Sequence, residues 1–136
     1  MNTKIYVILL VVLLAIIFIS CDDTLINNQI DNIIIPSQNV SYDEYIQPLF
    51  TFKCNTSQCH NSADMAGGID LTTWSGAIAD PSVVFPFQPE SSRLVWAVEG
   101  ISGANPMPPI GAPVTPLTLN QVEGLKTWIK EGAEKN

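Results

Sequence analysis

Cys54-Asn55-Thr56-Ser57-Gln58-Cys59-His60 is the stretch on which the reading of this chain turns. Two cysteines with a histidine directly after the second follow the pattern of covalent haem attachment, in which the usual separation of the cysteines is two residues. The chemistry is local. Each thiol adds across one haem vinyl group, and the adjacent imidazole then lies under the iron and ligates it. Only the Cys-His end needs tight spacing, because it sets the histidine beneath the ring. The residues between the cysteines can bulge, and here there are four of them.

His60 is the only histidine in the 136 residues. Two other chemistries compete for the same side chains. A structural zinc site closes with four ligands, and two thiolates with one imidazole fall short unless a carboxylate joins. In an oxidising compartment two cysteines default to a disulfide, and Cys54 and Cys59 close a small loop without steric difficulty. The chain holds three cysteines. Cys21 has a separate explanation given below, so no thiol is left over.

Outward from the motif the sequence predicts a mostly α domain with long Gly/Pro-rich loops. Ser41-Tyr42-Asp43-Glu44 is a capping-box pattern that starts a helix. Ile46, Leu49 and Phe50 form one apolar face of it, Pro48 bends or tightens its first turns, and it runs directly into Cys54. From Gly67 to Pro89, Gly, Pro, Ser and Thr predict a loop with one short helical turn. Ser91 or Ser92 caps a second helix with Leu94, Val95 and Val98 inward and Gly100 at its end. Thr118-Leu119-Asn120-Gln121 is another capping box, followed by a helix with Val122, Leu125, Trp128 and Ile129 on one stripe and Gly132 past its end. These helices supply few core residues for the length, so a bound apolar cofactor would complete the fold. Leu94, Trp96, Leu125 and Trp128 are candidates to line its cavity, and equally ordinary helix core.

Residues 103–116 hold five prolines and two glycines, which predicts an ordered loop. In it Asn105-Pro106-Met107-Pro108-Pro109 sets a methionine between prolines. Fixed backbone on both sides presents the soft thioether at low entropic cost. Methionine opposite histidine is an electron-transfer ligation that raises the potential of a haem iron, which makes Met107 the candidate distal ligand. Met65 lies too close to His60 in sequence to reach the opposite face without passing round the ring edge.

The N-terminus bears on location. Lys4 precedes an apolar run from Ile5 to Ile19, the length of a signal-peptide core and short for a membrane span. Phe18-Ile19-Ser20-Cys21 resembles the bacterial lipobox. Cleavage before Cys21 would make it a diacylated N-terminus, anchored to a bilayer by its acyl chains, and an uncleaved anchor helix is the alternative. Residues 21–40 are rich in Asn, Asp and Ile without helical periodicity, and read as a flexible tether with Ile33-Ile34-Ile35 as a candidate short strand. The expected division is a leader at 1–20, the tether at 21–40 and the domain at 41–136. The domain is expected to face the periplasm or the cell exterior. Without Lys4, five basic residues stand against thirteen acidic ones. That balance disfavours nucleic acid and favours a partner with a basic docking face.

The order of these landmarks resembles the planctomycete-type cytochrome c domain, a branch of the cytochrome c superfamily, over residues 41–133. The carrying residues are Tyr45-Ile46-Gln47-Pro48-Leu49-Phe50 before Cys54, then Gly67-Gly68-Ile69-Asp70-Leu71, Pro89-Glu90-Ser91-Ser92-Arg93-Leu94 and Met107-Pro108-Pro109. At the end stand Leu117-Thr118, Leu125, Trp128-Ile129 and Gly132-Ala133. The chain departs from the pattern in its wider cysteine spacing and in Val84-Phe85-Pro86-Phe87, where the family commonly has a Val-Pro-Gly turn. The resemblance implies one covalent haem c held by Cys54 and Cys59, with His60 proximal and Met107 distal. It also implies a carrier of single electrons between redox proteins rather than an enzyme. The alternatives are a haem sensor with an open sixth site, or a cofactor-free lipoprotein module with a Cys54–Cys59 disulfide.

Overall fold

A computed structural model describes residues 26–101 and 103–136, with side chains from residue 29 onward. The leader and the Cys21 lipidation site lie outside the described residues. Within them the α-helices are α1 (Ile26–Asp31), α2 (Gln47–Lys53), α3 (Trp74–Ala77), α4 (Arg93–Glu99) and α5 (Leu119–Lys130), and no strand is present. The expectation of a small, mostly α domain holds. No described helix is long and apolar enough to cross a membrane.

Capping chemistry places these helices. The Ser41 hydroxyl accepts the amide of Glu44 at 3.2 Å, the first half of the expected box. The turn it starts, Tyr42–Ile46, is π-helical and passes into α2 with Pro48 in the first turn. Pro48 falls where the π-helical turn gives way to α2, so the intrahelical bond that its missing N–H forgoes lies at the junction of the two and not within α2. Thr73 caps the short turn α3 through the amide of Gly76. Ser92 precedes α4 without a side-chain cap, because its hydroxyl bridges the Phe85 amide and the Gln88 carbonyl. Gly100 ends α4 at φ 65°, a left-handed backbone that glycine adopts without strain. Thr118 and Gln121 form a complete capping box at α5.

The core lies between the Tyr42–Lys53 segment and α5. Tyr42, Phe50 and Trp128 are each no more than 1% exposed, and their rings meet at centroid distances of 5.4–6.4 Å. Ile46, Leu49, Leu125 and Ile129 fill the space around them. The polar edges of the rings are satisfied locally: Tyr42 donates to Gln47 Oε1, and the Trp128 indole to the carbonyl of Glu134. Trp128 and Leu125, both weighed as cavity residues from sequence, belong to this core.

Residues 29–40, assigned to the tether from sequence, pack against the domain instead. Ile30, Ile35 and Val40 are buried. Ile35 exchanges two hydrogen bonds with the Asn120 side chain, buried Gln121 donates to the carbonyl of Ile30, and Glu131 accepts the amides of Asn39 and Val40. No strand forms at residues 33–35. The sequence hides this because the contacts are side chain to backbone, and such bonds leave no periodicity. Gly124 makes the approach possible: a Cβ there would lie 2.4 Å from Ile35 Cγ2.

Gly124→Ala therefore sets a helix-propensity gain of up to ~1 kcal/mol against overpacking of about 1–3 kcal/mol. The overpacking wins. Denaturant unfolding should show a net loss of stability, and hydrogen exchange should show reduced protection of the amides of residues 30–40.

Candidate functional site

Helix α2 ends at Lys53, and the chain then turns back on itself. The amides of Cys54 and Asn55 both bond to the carbonyl of Phe50 at 2.9 Å, which finishes the helix and aims the next residues away from its axis. The four intervening residues form the bulge that the spacing requires. The His60 amide donates to the Cys54 carbonyl at 3.0 Å, so the two ends of the motif are tied directly together. Gln58 takes φ 66° to allow the return. The Leu71 amide in turn donates to the His60 carbonyl at 2.8 Å, and the Ala66 amide to the Cys59 carbonyl at 3.1 Å. The histidine backbone is thereby held on both sides.

Asn61 and Asp64 brace the bulge. Asp64 Oδ2 accepts the Gln58 amide at 2.6 Å and the Asn61 side chain at 2.7 Å, and Asn61 also donates to the Thr56 carbonyl. The bonds from Asn61 and from the Gln58 amide hold the Asp64 carboxyl below its usual value.

Cys54, Cys59, His60 and Met107 line one cavity of about 530 Å³. Both sulfurs of the motif are free thiols in this structure. Thr56 donates to Cys59 Sγ at 3.2 Å. Cys54 is partly exposed as a residue, but its thiol sits in dense surroundings. That burial, and next the nearby Cys59, push it up to about 12 against a partial opposing pull from Lys53. His60 Nδ1 is buried with no hydrogen-bond partner, and no hydrogen bond engages either ring nitrogen.

The proline loop also contributes to the wall. The Met107 amide donates to the carbonyl of Ala97 at 2.9 Å, which pins the loop to α4, and Met107-Pro108 is a cis peptide. Leu94 and Trp96 of α4 line the cavity as expected, together with Ile69, Leu71, Val83 and Leu117. Met65, the alternative thioether, does not line it and stands 44% exposed. Among the described residues no group of three or more His, Cys, Asp or Glu gathers to hold a metal ion by itself.

Two thiols, an imidazole with an unpartnered Nδ1 and a thioether therefore border one mostly apolar chamber. Residues 57–111 match the family model for planctomycete cytochrome C. This segment is similar to planctomycete-type cytochrome c domains. No match is found among curated proteins or among solved structures. The cytochrome c match spans Cys59, His60, the Gly67–Leu71 stretch and Met107; Cys54 and α5 lie outside the matched residues.

Cytochrome c domains take a haem, and the chamber fits one on its own features. Its volume lies in the range of small-molecule and cofactor sites, its wall is largely apolar, and it is bordered by a histidine whose buried Nδ1 no protein group satisfies. Lys53 is a lining residue that the sequence reading did not single out. The signal was present, since 46, 49, 50 and 53 continue one helical stripe and place a lysine in an apolar position.

With its thiol pushed up to about 12, Cys54 stays protonated at neutral pH. In Cys59→Ser apoprotein, iodoacetamide labelling of Cys54 at about pH 8 should be slower in the fold than in denaturant by on the order of a hundredfold, because thiolate is the reactive form. The folded rate should keep climbing as pH rises towards 12. Equal rates in the folded and denatured protein would contradict the burial described.

Proposed function

We propose that this protein is a membrane-anchored c-type cytochrome that carries single electrons through one covalently bound haem. The observation that carries the reading is the convergence of Cys54, Cys59, His60 and Met107 on one cavity. Haem, when bound, supplies a one-electron couple at iron. In this reading the thiols of Cys54 and Cys59 would hold the ring, and His60 and Met107 would ligate its iron.

The remaining residues give these roles physical support. The His60-to-Cys54 backbone bond makes the wider spacing workable, because it shortens the motif's span whatever its length in residues. The Met107–Ala97 bond steadies the backbone that presents the thioether, and a largely apolar wall around a bound haem would favour a high potential. With His60 and Met107 both given to the iron, no position would remain for a substrate, so the role proposed is that of a carrier and not an enzyme. The excess of acidic side chains suits a redox partner with a basic docking face. Lipidation at Cys21 would keep the carrier at the bacterial cell envelope, facing the periplasm or the exterior.

Expression with a c-type maturation system, followed by haem staining of a denaturing gel, tests the attachment. Stain should travel with the wild type and should be lost in Cys54→Ser/Cys59→Ser. An unstained wild type from competent cells would return the chain to the disulfide-module reading. Met107→Ala should keep the stain, lose the long-wavelength iron–sulfur charge-transfer band and lower the midpoint potential. An unchanged spectrum and potential would remove Met107 from the ligand set and leave the sixth site open.

A further inference from the structure

Lys53, the residue before Cys54, carries a charge on the buried face of α2. Its side chain has no exposure to solvent. Nζ bonds to Asp31 Oδ1 at 2.5 Å, to Thr115 Oγ1, and to the Thr115 carbonyl at 3.3 Å. Thr115 Oγ1 completes the ring by donating to Asp31 Oδ2 at 2.9 Å. Three segments of chain meet on this ammonium: the helix that presents Cys54, the proline loop that presents Met107, and the N-terminal segment. Lys53 also borders the cavity.

Packing alone does not call for a cation here. An apolar side chain of similar length would continue the Ile46–Leu49–Phe50 stripe, and replacing a buried ion pair by well-packed apolar groups is often neutral or stabilising. What an apolar residue cannot supply is a fixed field. A charge in a buried site acts at longer range and with less salt screening than one in water. Arg93, the other cation lining the cavity, is exposed, and solvent weakens its field.

We propose that the Lys53–Asp31–Thr115 cluster is a potential-setting device: Lys53 supplies a fixed positive field at the haem cavity, and Asp31, delivered by the N-terminal segment, trims it. The inference rests on the haem reading above. Reduction lowers the charge at the iron by one unit, so the Lys53 cation favours the reduced form and the Asp31 carboxylate favours the oxidised form. The two members act with opposite sign, which no purely structural role would produce. Lys53 is a positioning residue in this scheme, since it acts through space and through the loop it ties.

Redox titration of the haem-loaded protein decides it. Lys53→Met should lower the midpoint potential and Asp31→Asn should raise it, each by about tenfold in the reduction equilibrium, which for one electron is ~59 mV. Lys53→Arg should stay near the wild type, and Asp31→Asn/Lys53→Met should return towards it. Shifts of the two single variants in the same direction, with loss of the iron–sulfur band, would reduce the cluster to a scaffold and overturn the proposal. So would an unmoved potential in Lys53→Met with that band retained. If Asp31→Asn does not fold, the double variant decides, because it leaves no unpaired buried charge. A potential equal to that of Lys53→Met then overturns the role of Asp31, and one nearer the wild type supports it. A wild type that carries no haem overturns the reading beneath and this inference with it, whereas a haem-loaded wild type with insensitive variants overturns this inference alone.

Discussion

The contact of Tyr42, Phe50 and Trp128 is the constraint on which the remaining structure depends. It joins the segment that ends in Cys54 to α5, the longest described helix, and it gives a short helix a platform that its own length does not supply. Helix α2 has seven residues, which is marginal in water without tertiary support. Locked against Trp128, it delivers Cys54 at a fixed place and direction. The cavity depends on that placement, because the bulge, the histidine and the buried lysine are all built outward from the last turn of α2.

A second principle governs the site itself: long loops are made rigid by a few backbone bonds at their ends. The bulge at 55–58 is closed by one bond between His60 and Cys54 and braced by Asn61 and Asp64. The proline loop is tied at Met107 to α4 and at Thr115 to Lys53. Neither loop has a core of its own. Proline removes the alternatives open to the backbone, and the ties choose among those that remain.

Much of this was legible in the sequence for identifiable reasons. The Thr118–Gln121 box, the stripe through Trp128 and the stop at Gly100 are local signals, and the structure reproduces each. Cys54, Cys59, His60 and Met107 could be singled out as candidates because their chemistry is unusual for their surroundings, and they share one cavity. The packing of residues 29–40 was not legible. It rests on Asn120, Gln121 and Glu131 bonding to a distant backbone, and on the absence of a side chain at Gly124, which nothing nearby in the sequence announces. Sorting the large apolar residues between core and cavity also required the third dimension. Leu94 and Leu125 both join the core, yet only Leu94 also borders the cavity, a difference that tertiary packing alone sets.

The docking of the N-terminal segment has a practical meaning for where this domain begins. A boundary drawn at Ser41, where the first capping signal stands, would cut away Asp31 and leave an ammonium buried without its carboxylate. It would also uncover the groove on α5 that Ile35 fills. The physical unit starts before Asp31, so the autonomous module is longer at its front than its helix signals suggest. Any excision, fusion or graft of this domain inherits that earlier border.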